Sequence, residues 1–156
     1  MSQRSGVAGV LVSLKPEYAA AIAEGRKTVE LRRRFPLVDP GVWLVIYATQ
    51  PVGAIVGMAP IERVDSDTTR AIWDEHHRQV GISKSRFRDY FDDRTRGFAV
   101  VLGRYYPLRP IRTEEITAII PKFCPPQSWR YLDTRSVTLL RKPLHSENRG
   151  RMRACG

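Results

Sequence analysis

Cysteine is almost missing from this chain. Cys124 and Cys155 are the only two in 156 residues and neither belongs to a CxxC pair. A disulfide framework is therefore excluded, and both thiols are expected to stay reduced, as in a cytoplasmic protein. Long apolar runs are missing too. The longest, Val42 to Ala48, is far below the roughly 20 residues that cross a bilayer as a helix. The first residues, Met1-Ser2-Gln3-Arg4, carry no apolar signal segment, so a cytoplasmic location with no membrane partner is expected. Acidic residues are in short supply: 16 Asp and Glu face 26 Lys and Arg, for a net charge of +10.

What is present describes one globular domain. A hydrophobic share of 42% with 27% charged residues is enough for a core and too apolar for disorder. Arg141, Lys142, Arg149, Arg151 and Arg153 outweigh Glu147 after Leu140, which leaves +6 of the +10 on the body. A basic body suits a polyanionic partner. An Arg-rich protein of a high-GC genome would show the same bias, so charge alone does not decide.

Periodicity gives the elements. Val7 to Ser13 reads as a strand, and Pro16 followed by Glu17 opens a helix that Gly25 ends. Lys27 to Phe35 alternates, with Val29, Leu31 and Phe35 on an inner face and Thr28, Glu30, Arg32 and Arg34 on a charged outer face. Val42 to Ala48 suits a strand buried on both sides. Gly53 to Val64 is a further strand in which Gly57 and Pro60 mark a bulge or a close approach. Asp67 and Ser83 are positioned to cap two helices with inner stripes of Trp73, His77 and Val80, and of Phe87, Tyr90 and Phe91. Gly97 to Gly103 and Tyr105 to Ile111 are expected to pair as strands. A short helix starts at Thr113, a proline-stiffened loop runs from Lys122 to Tyr131, and Val137 to Leu140 forms a last strand. Strands, two helices, then strands again gives an α+β fold: a small curved sheet or barrel of mixed strands with flanking helices. Residues 1–142 are expected to form the domain and 143–156 a basic, disordered tail.

Three groups of residues carry possible chemistry. The first is Gly25-Arg26-Lys27-Thr28-Val29-Glu30-Leu31-Arg32-Arg33-Arg34, five cations against one carboxylate. Gly25 permits a tight turn and a close ligand approach, and Glu30 is placed to pair with Arg32 or to read a ligand's donors. Charges that keep a sheet edge from aggregating would give the same pattern. The second is the loop Pro125 to Tyr131, where Trp129 and Tyr131 could stack on a base while Gln127, Ser128 and Arg130 make polar contacts. Aromatics that plug the end of the sheet are the alternative, and Trp129 is assigned to it. The third surrounds the second inserted helix: Arg78, Lys84, Arg86, Arg88, Arg94 and Arg96 against Asp89, Asp92 and Asp93, either a phosphate-tracking face or a solvated helix. His76 and His77 are adjacent and cannot chelate one ion from a helix, so no metal or other cofactor is implied.

Ser13-Leu14-Lys15-Pro16-Glu17-Tyr18 followed by Gly25-Arg26-Lys27-Thr28-Val29-Glu30-Leu31-Arg32 resembles the opening signature of ASCH domains, of the PUA-like superfamily. Tyr47-Ala48, Pro51-Val52 and Ile55-Val56-Gly57 resemble the next two strands. Phe123 with Pro125-Pro126-Gln127-Ser128-Trp129-Arg130-Tyr131 resembles the closing loop of a bacterial subgroup labelled predicted transcriptional regulators. The likeness spans Val10 to Leu140. It implies a β-barrel-like PUA fold and a cleft beside the helix-to-strand junction, lined by Gly25, Lys27, Glu30 and Arg32, with Lys15 a further member. It also implies an RNA ligand, in some relatives a flipped or modified base. Other ASCH proteins hydrolyse the acetyl amide of N4-acetylcytidine with a Lys, a Thr three residues later and a distant Glu. Lys27 matches the Lys, but Glu30 stands where the Thr is needed, and Glu75, His76 and His77 offer no clear match for the Glu. Ribonuclease activity is likewise attributed to ASCH proteins.

The leading expectation is a domain that binds RNA, DNA or a nucleotide-derived ligand. Lys27, Arg32 and Arg33 would meet phosphates or carbonyl oxygens, Glu30 and Thr28 would face the ligand, and Gln127, Ser128 and Arg130 would close the rim. The second is a hydrolase of a modified nucleoside, or a ribonuclease, with Lys27 and Glu30 as an acid–base pair. The third is a protein-interaction module for acidic partners.

Overall fold

The computed structural model describes residues 6–142, so the tail expected at 143–156 lies outside the described residues. Seven strands form one mixed sheet: β1 (Val7–Leu14), β2 (Val29–Arg32), β3 (Trp43–Ala48), β4 (Ala54–Thr68), β5 (Arg96–Leu102), β6 (Tyr106–Arg112) and β7 (Trp129–Asp133). Their order is β2-β5-β4-β3-β1-β7, with β6 beside β4. Only β1 and β3 run parallel, from Gly9 opposite Trp43 to Leu14 opposite Ala48. That pairing needs a crossover, and the segment holding α1 (Pro16–Ala23) and β2 supplies it. Helices α2 (Thr69–His76) and α3 (Lys84–Phe91) separate β4 from β5, and α4 (Thr113–Ile119) separates β6 from β7. Residues 134–142 form a closing helix, α5.

Both faces of the sheet are covered, which explains its continuous apolar runs. One face gathers Val10, Val12 and Leu14 of β1, Leu44 and Ile46 of β3, Val100 of β5 and Ile22 of α1. The other gathers Leu11, Val45, Tyr47 and Met58 with Ile116 of α4 and Val137 and Leu140 of α5. A third cluster packs Ile72 of α2 and Phe87 and Phe91 of α3 onto Val29 and Leu31 of β2 and Ala99 of β5. The helices start where the sequence offers caps: Thr68 Oγ1 accepts from the Ala71 amide and Ser83 Oγ from the Arg86 amide, each contributing about 1 kcal/mol. Asp133 starts α5 by accepting from the Ser136 amide at 2.8 Å, a bond that holds its carboxyl below the ordinary value.

Several expectations are corrected. The pairing is that of an open sheet, because β2 and β7 end the strand order without a ladder between them; the sheet curls until the Arg32 guanidinium donates to the Ser128 carbonyl from edge to edge. Thr68 rather than Asp67 caps α2, and the buried side chains of that helix are Ile72 and His76. Strand β6 pairs with β4, not β5. Val137 to Leu140 is helical, because Val137 and Leu140 lie three apart and both face the second core. The close approach expected at Gly57 is present: a Cβ there would lie 2.0 Å from the Tyr105 hydroxyl, which donates to the Val56 carbonyl at 3.0 Å.

Candidate nucleic-acid interface

The helix-to-strand junction is built by three local choices. Pro16 starts α1 where its missing amide is not needed. Gly25 then takes φ +78, and a Cβ there would meet nothing within 4 Å, so the backbone conformation and not a close ligand approach requires glycine. After the turn, Thr28 and Val29 amides both donate to the Gln79 carbonyl, at 2.9 and 3.1 Å, which ties the start of β2 to the loop between α2 and α3.

Strand β2 is only four residues long and is covered on both sides. Val29 and Leu31 lie under α2 and α3, while Glu30 pairs with Val100 in the ladder to β5, a residue of the α1-side core. Glu30 is thus 5% exposed and Lys27 3%, which corrects the charged outer face read from the alternation. Phe35 lies beyond the strand and joins the α1-side core instead of the face of Val29 and Leu31.

Lys27 and Glu30 share a small cavity of about 50 Å³ with Tyr18, Ile82, Arg86 and Tyr90. Lys27 Nζ donates to the Val80 carbonyl at 2.7 Å and lies 5.6 Å from the centre of the Tyr18 ring. One carboxyl oxygen of Glu30, Oε2, is buried with no hydrogen-bond partner. A buried acceptor left in that state costs about 1–3 kcal/mol. The expected Lys27–Glu30 pair is not formed: Lys27 is turned to Val80 and this oxygen of Glu30 stands alone.

Next to it, and sharing Tyr90, is a cavity of about 310 Å³ lined by Arg32, Arg33, Arg34, Tyr90, Arg94, Gln127 and Ser128. Four guanidinium groups and no carboxylate make it strongly positive. Tyr90 organises its floor. Its hydroxyl donates to the Leu31 carbonyl at 3.1 Å and accepts from the Arg33 amide at 3.2 Å. The Arg33 side chain lies over the Tyr90 ring, 4.9 Å from its centre, and donates to the Tyr90 carbonyl at 2.7 Å. Burial pushes the Tyr90 hydroxyl above its ordinary 10.0, an effect that Arg32 opposes and Glu30 reinforces. Tyr90→Phe is expected to lose about 1 kcal/mol of stability in urea unfolding, the worth of the bonds the hydroxyl makes. The raised value also sets a sign. The folded state holds its proton longer than the unfolded chain, so wild-type stability falls as pH rises above 10.0, and this part of the fall disappears in Tyr90→Phe.

The structure therefore brings together Lys27, Glu30, Arg32, Arg33, Gln127 and Ser128 around Tyr90. It does not bring Lys15, Gly25, Thr28 or Arg130 to either cavity: all four are exposed elsewhere. Trp129 packs edge-on to Tyr131 at 4.8 Å and against the α1-side core, in keeping with a structural part. Arg86 and Arg94, grouped by sequence with the arginines around α3 as a possible phosphate-tracking face, also line these cavities. Tyr90, which the sequence pattern does not mark as a site residue, is common to both. Tyr90 fits the inner stripe of α3 equally well, and only its half-burial at the rim tells the two parts apart.

His76 is buried and His77 exposed, in line with the view that they cannot share an ion. His76 Nε2 lies 2.8 Å from Asp65 Oδ2 and 3.8 Å from Glu75 Oε2, and one ligand atom from each of the three falls within 4.8 Å of the others. Arg63 already reaches both carboxylates, at 3.2 and 3.3 Å. A cation there would meet a resident positive charge, so the group reads as an ion-pair network that fastens α2 to β4.

An open α+β sheet with a cationic cleft where its two ends meet matches a known class. Residues 12–115 match the family described as the ASCH domain, and the chain belongs to that family. It is 38% identical over 122 residues to an ASCH domain-containing ribonuclease of Zymomonas mobilis, covering 78% of this chain and 82% of that one. The crystal structure of ASCH from Zymomonas mobilis superposes with a TM-score of 0.80 at 35% identity, over 84% of this chain and 92% of that one. The N-terminal domain of Staphylothermus marinus McrB shares the fold alone, with a TM-score of 0.54 at 10% identity over 90% of this chain and 97% of that one. No described helix is long and apolar enough to cross a membrane.

Proposed function

We propose that the cleft around Tyr90 binds single-stranded RNA, with phosphates on Arg33, Arg34 and Arg94 and a base edge directed at Glu30. The observation that carries this is the lone buried Oε2 of Glu30 beside a carboxylate-free cavity of four arginines. The arginines attract a polyanion, and the orphan acceptor selects a ligand that also brings a donor, such as an amine or imino N–H of a base. The 50 Å³ cavity is small beside its 310 Å³ neighbour. It admits the edge of a base, whose ring would lie in the larger cavity.

Labelled single-stranded RNA titrated across a salt series tests this. Arg34→Ala/Arg94→Ala removes two exposed cations and should make the log–log salt slope shallower by about 1.4, two charges at about 0.7 each. Wild-type protein that binds no RNA at low salt would overturn the reading.

RNA cleavage is the second reading, supported by the name of the Zymomonas mobilis relative. Here the RNA's own 2′-hydroxyl would give its proton to the Glu30 carboxylate and attack the adjacent phosphorus. The P–O5′ bond would break to leave a 2′,3′-cyclic phosphate and a 5′-hydroxyl protonated by water, so no protein nucleophile is required. Shortening of the labelled RNA by wild type, abolished in Glu30→Gln, would favour this reading; intact RNA after prolonged incubation would leave binding alone.

A further inference from the structure

A second basic concavity lies on the opposite flank of α3 from the cleft. It has a volume of about 430 Å³ and is lined by Arg70, Trp73 and Asp74 of α2 and Lys84, Phe87 and Arg88 of α3, a size typical of ligand sites. Its floor is aromatic: Trp73 meets Phe87 with ring centres 5.0 Å apart and meets His77 at 5.5 Å. Trp73 is half-buried, and Arg70, Lys84 and Arg88 are exposed around it. The ion pairs of this region engage Arg63 and Arg86 instead. Three cations against Asp74 leave the groove at +2.

Helix α3 joins this groove to the cleft. Arg86 and Tyr90, four apart, line the Glu30 cavity, while Lys84 and Arg88, also four apart, line the groove. The buried stripe of Phe87 and Phe91 lies between the two flanks. A helix is about 10–12 Å across with its side chains, so a chain leaving the cleft crosses one helix to reach the groove.

We infer that the α2–α3 groove is a second RNA subsite, in which a base stacks on Trp73 and its flanking phosphates meet Arg70, Lys84 and Arg88. This rests on the RNA reading of the cleft and extends it from one base to a strand that straddles α3. Cations around an aromatic floor fit single-stranded nucleic acid, since every base offers a face to stack and every linkage a charge. An acidic peptide would satisfy the cations but leave Trp73 without a planar partner.

Length dependence separates the subsite from the cleft. Fluorescence anisotropy would compare a labelled trinucleotide with a labelled decanucleotide on wild type and on Arg70→Gln/Arg88→Gln, two exposed positions whose loss leaves the core intact. The decanucleotide should bind wild type more tightly than the trinucleotide. In the variant it should lose about tenfold in affinity and about 1.4 in salt slope, while the trinucleotide stays within about twofold. Trp73→Leu should lower decanucleotide affinity by about tenfold, again sparing the trinucleotide. Equal losses for both lengths would overturn the subsite, because they would report a global change in field or fold. An unchanged decanucleotide would also overturn it, while leaving the cleft reading in place. Failure of both RNAs to bind wild type would remove the cleft reading and the subsite together. Competition by oligoglutamate as effective as by unlabelled decanucleotide would assign the groove to acidic protein segments instead.

Discussion

Glu30→Gln should fold like the wild type and bind RNA about ten- to a hundredfold more weakly. The substitution keeps the shape of a side chain that is 5% exposed and leaves the Lys27 bond to Val80 untouched, so a melting temperature within a few degrees of wild type is expected. Binding is different. A hydrogen bond to a charged acceptor is worth about 1.5–3 kcal/mol, and a site built for a donor that meets a second donor loses still more. Gln can present its NH2 where Oε2 now stands, so the base's N–H would face an N–H. Anisotropy titrations alongside thermal melts would separate the two effects. Unaltered RNA affinity with a clear loss of stability would make Glu30 a structural partner of the junction, and would remove the base-reading step from the proposed function.

How far the sequence reveals this site depends on which force placed each residue. Pro16, Gly25 and Ser83 act locally, and their effects on α1, the turn and α3 appear in the structure as read. Glu30 is outward-facing by alternation but buried in the structure. Alternation assumes that one face of a strand meets water, whereas β2 is roofed by α2 and α3 and floored by the α1-side core. The apolar stretch around Val137 and Leu140 is too short for its period to separate strand from helix, and contact with Val45 and Met58 of the second core favours a helix there. The meeting of Arg32 with Ser128 spans 96 positions, and no local rule reaches that far. Family resemblance alone put the opening motif and the closing loop on one cleft. The α2–α3 groove lay in a cluster of arginines whose charge pattern is equally that of a solvated helix. What distinguishes it is the Trp73–Phe87 contact, which only the folded chain shows.

The second large effect concerns a residue with no chemistry of its own. Gly97→Ala should destabilise the protein by about 3 kcal/mol, the upper end of the usual overpacking range. The backbone is not the reason, since Gly97 sits in β5 opposite Asp67 of β4 and is not among the glycines with positive φ. Space is the reason: an added Cβ would lie 2.3 Å from Cε1 and 2.7 Å from Cζ of Phe91. Phe91 has nowhere to retreat, being 2% exposed and held between Phe87 and Tyr90 with ring centres 4.8 and 4.9 Å away. Phe91→Leu alone should cost about 2 kcal/mol by leaving a cavity, yet the double variant should be more stable than Gly97→Ala, because the smaller side chain makes room for the methyl. Urea unfolding of the four proteins would give that coupling directly, with its sign opposite to additivity. The same pressure reaches the cleft. Tyr90 rests on Phe91 and carries both the Leu31 and Arg33 bonds, so a displaced Phe91 ring tilts the floor beneath the arginines. RNA affinity should therefore fall in Gly97→Ala and recover in the double variant. Recovery of stability without recovery of binding would instead mean that the floor of the cleft is set by β2 and Arg33 independently of the packing beneath Tyr90.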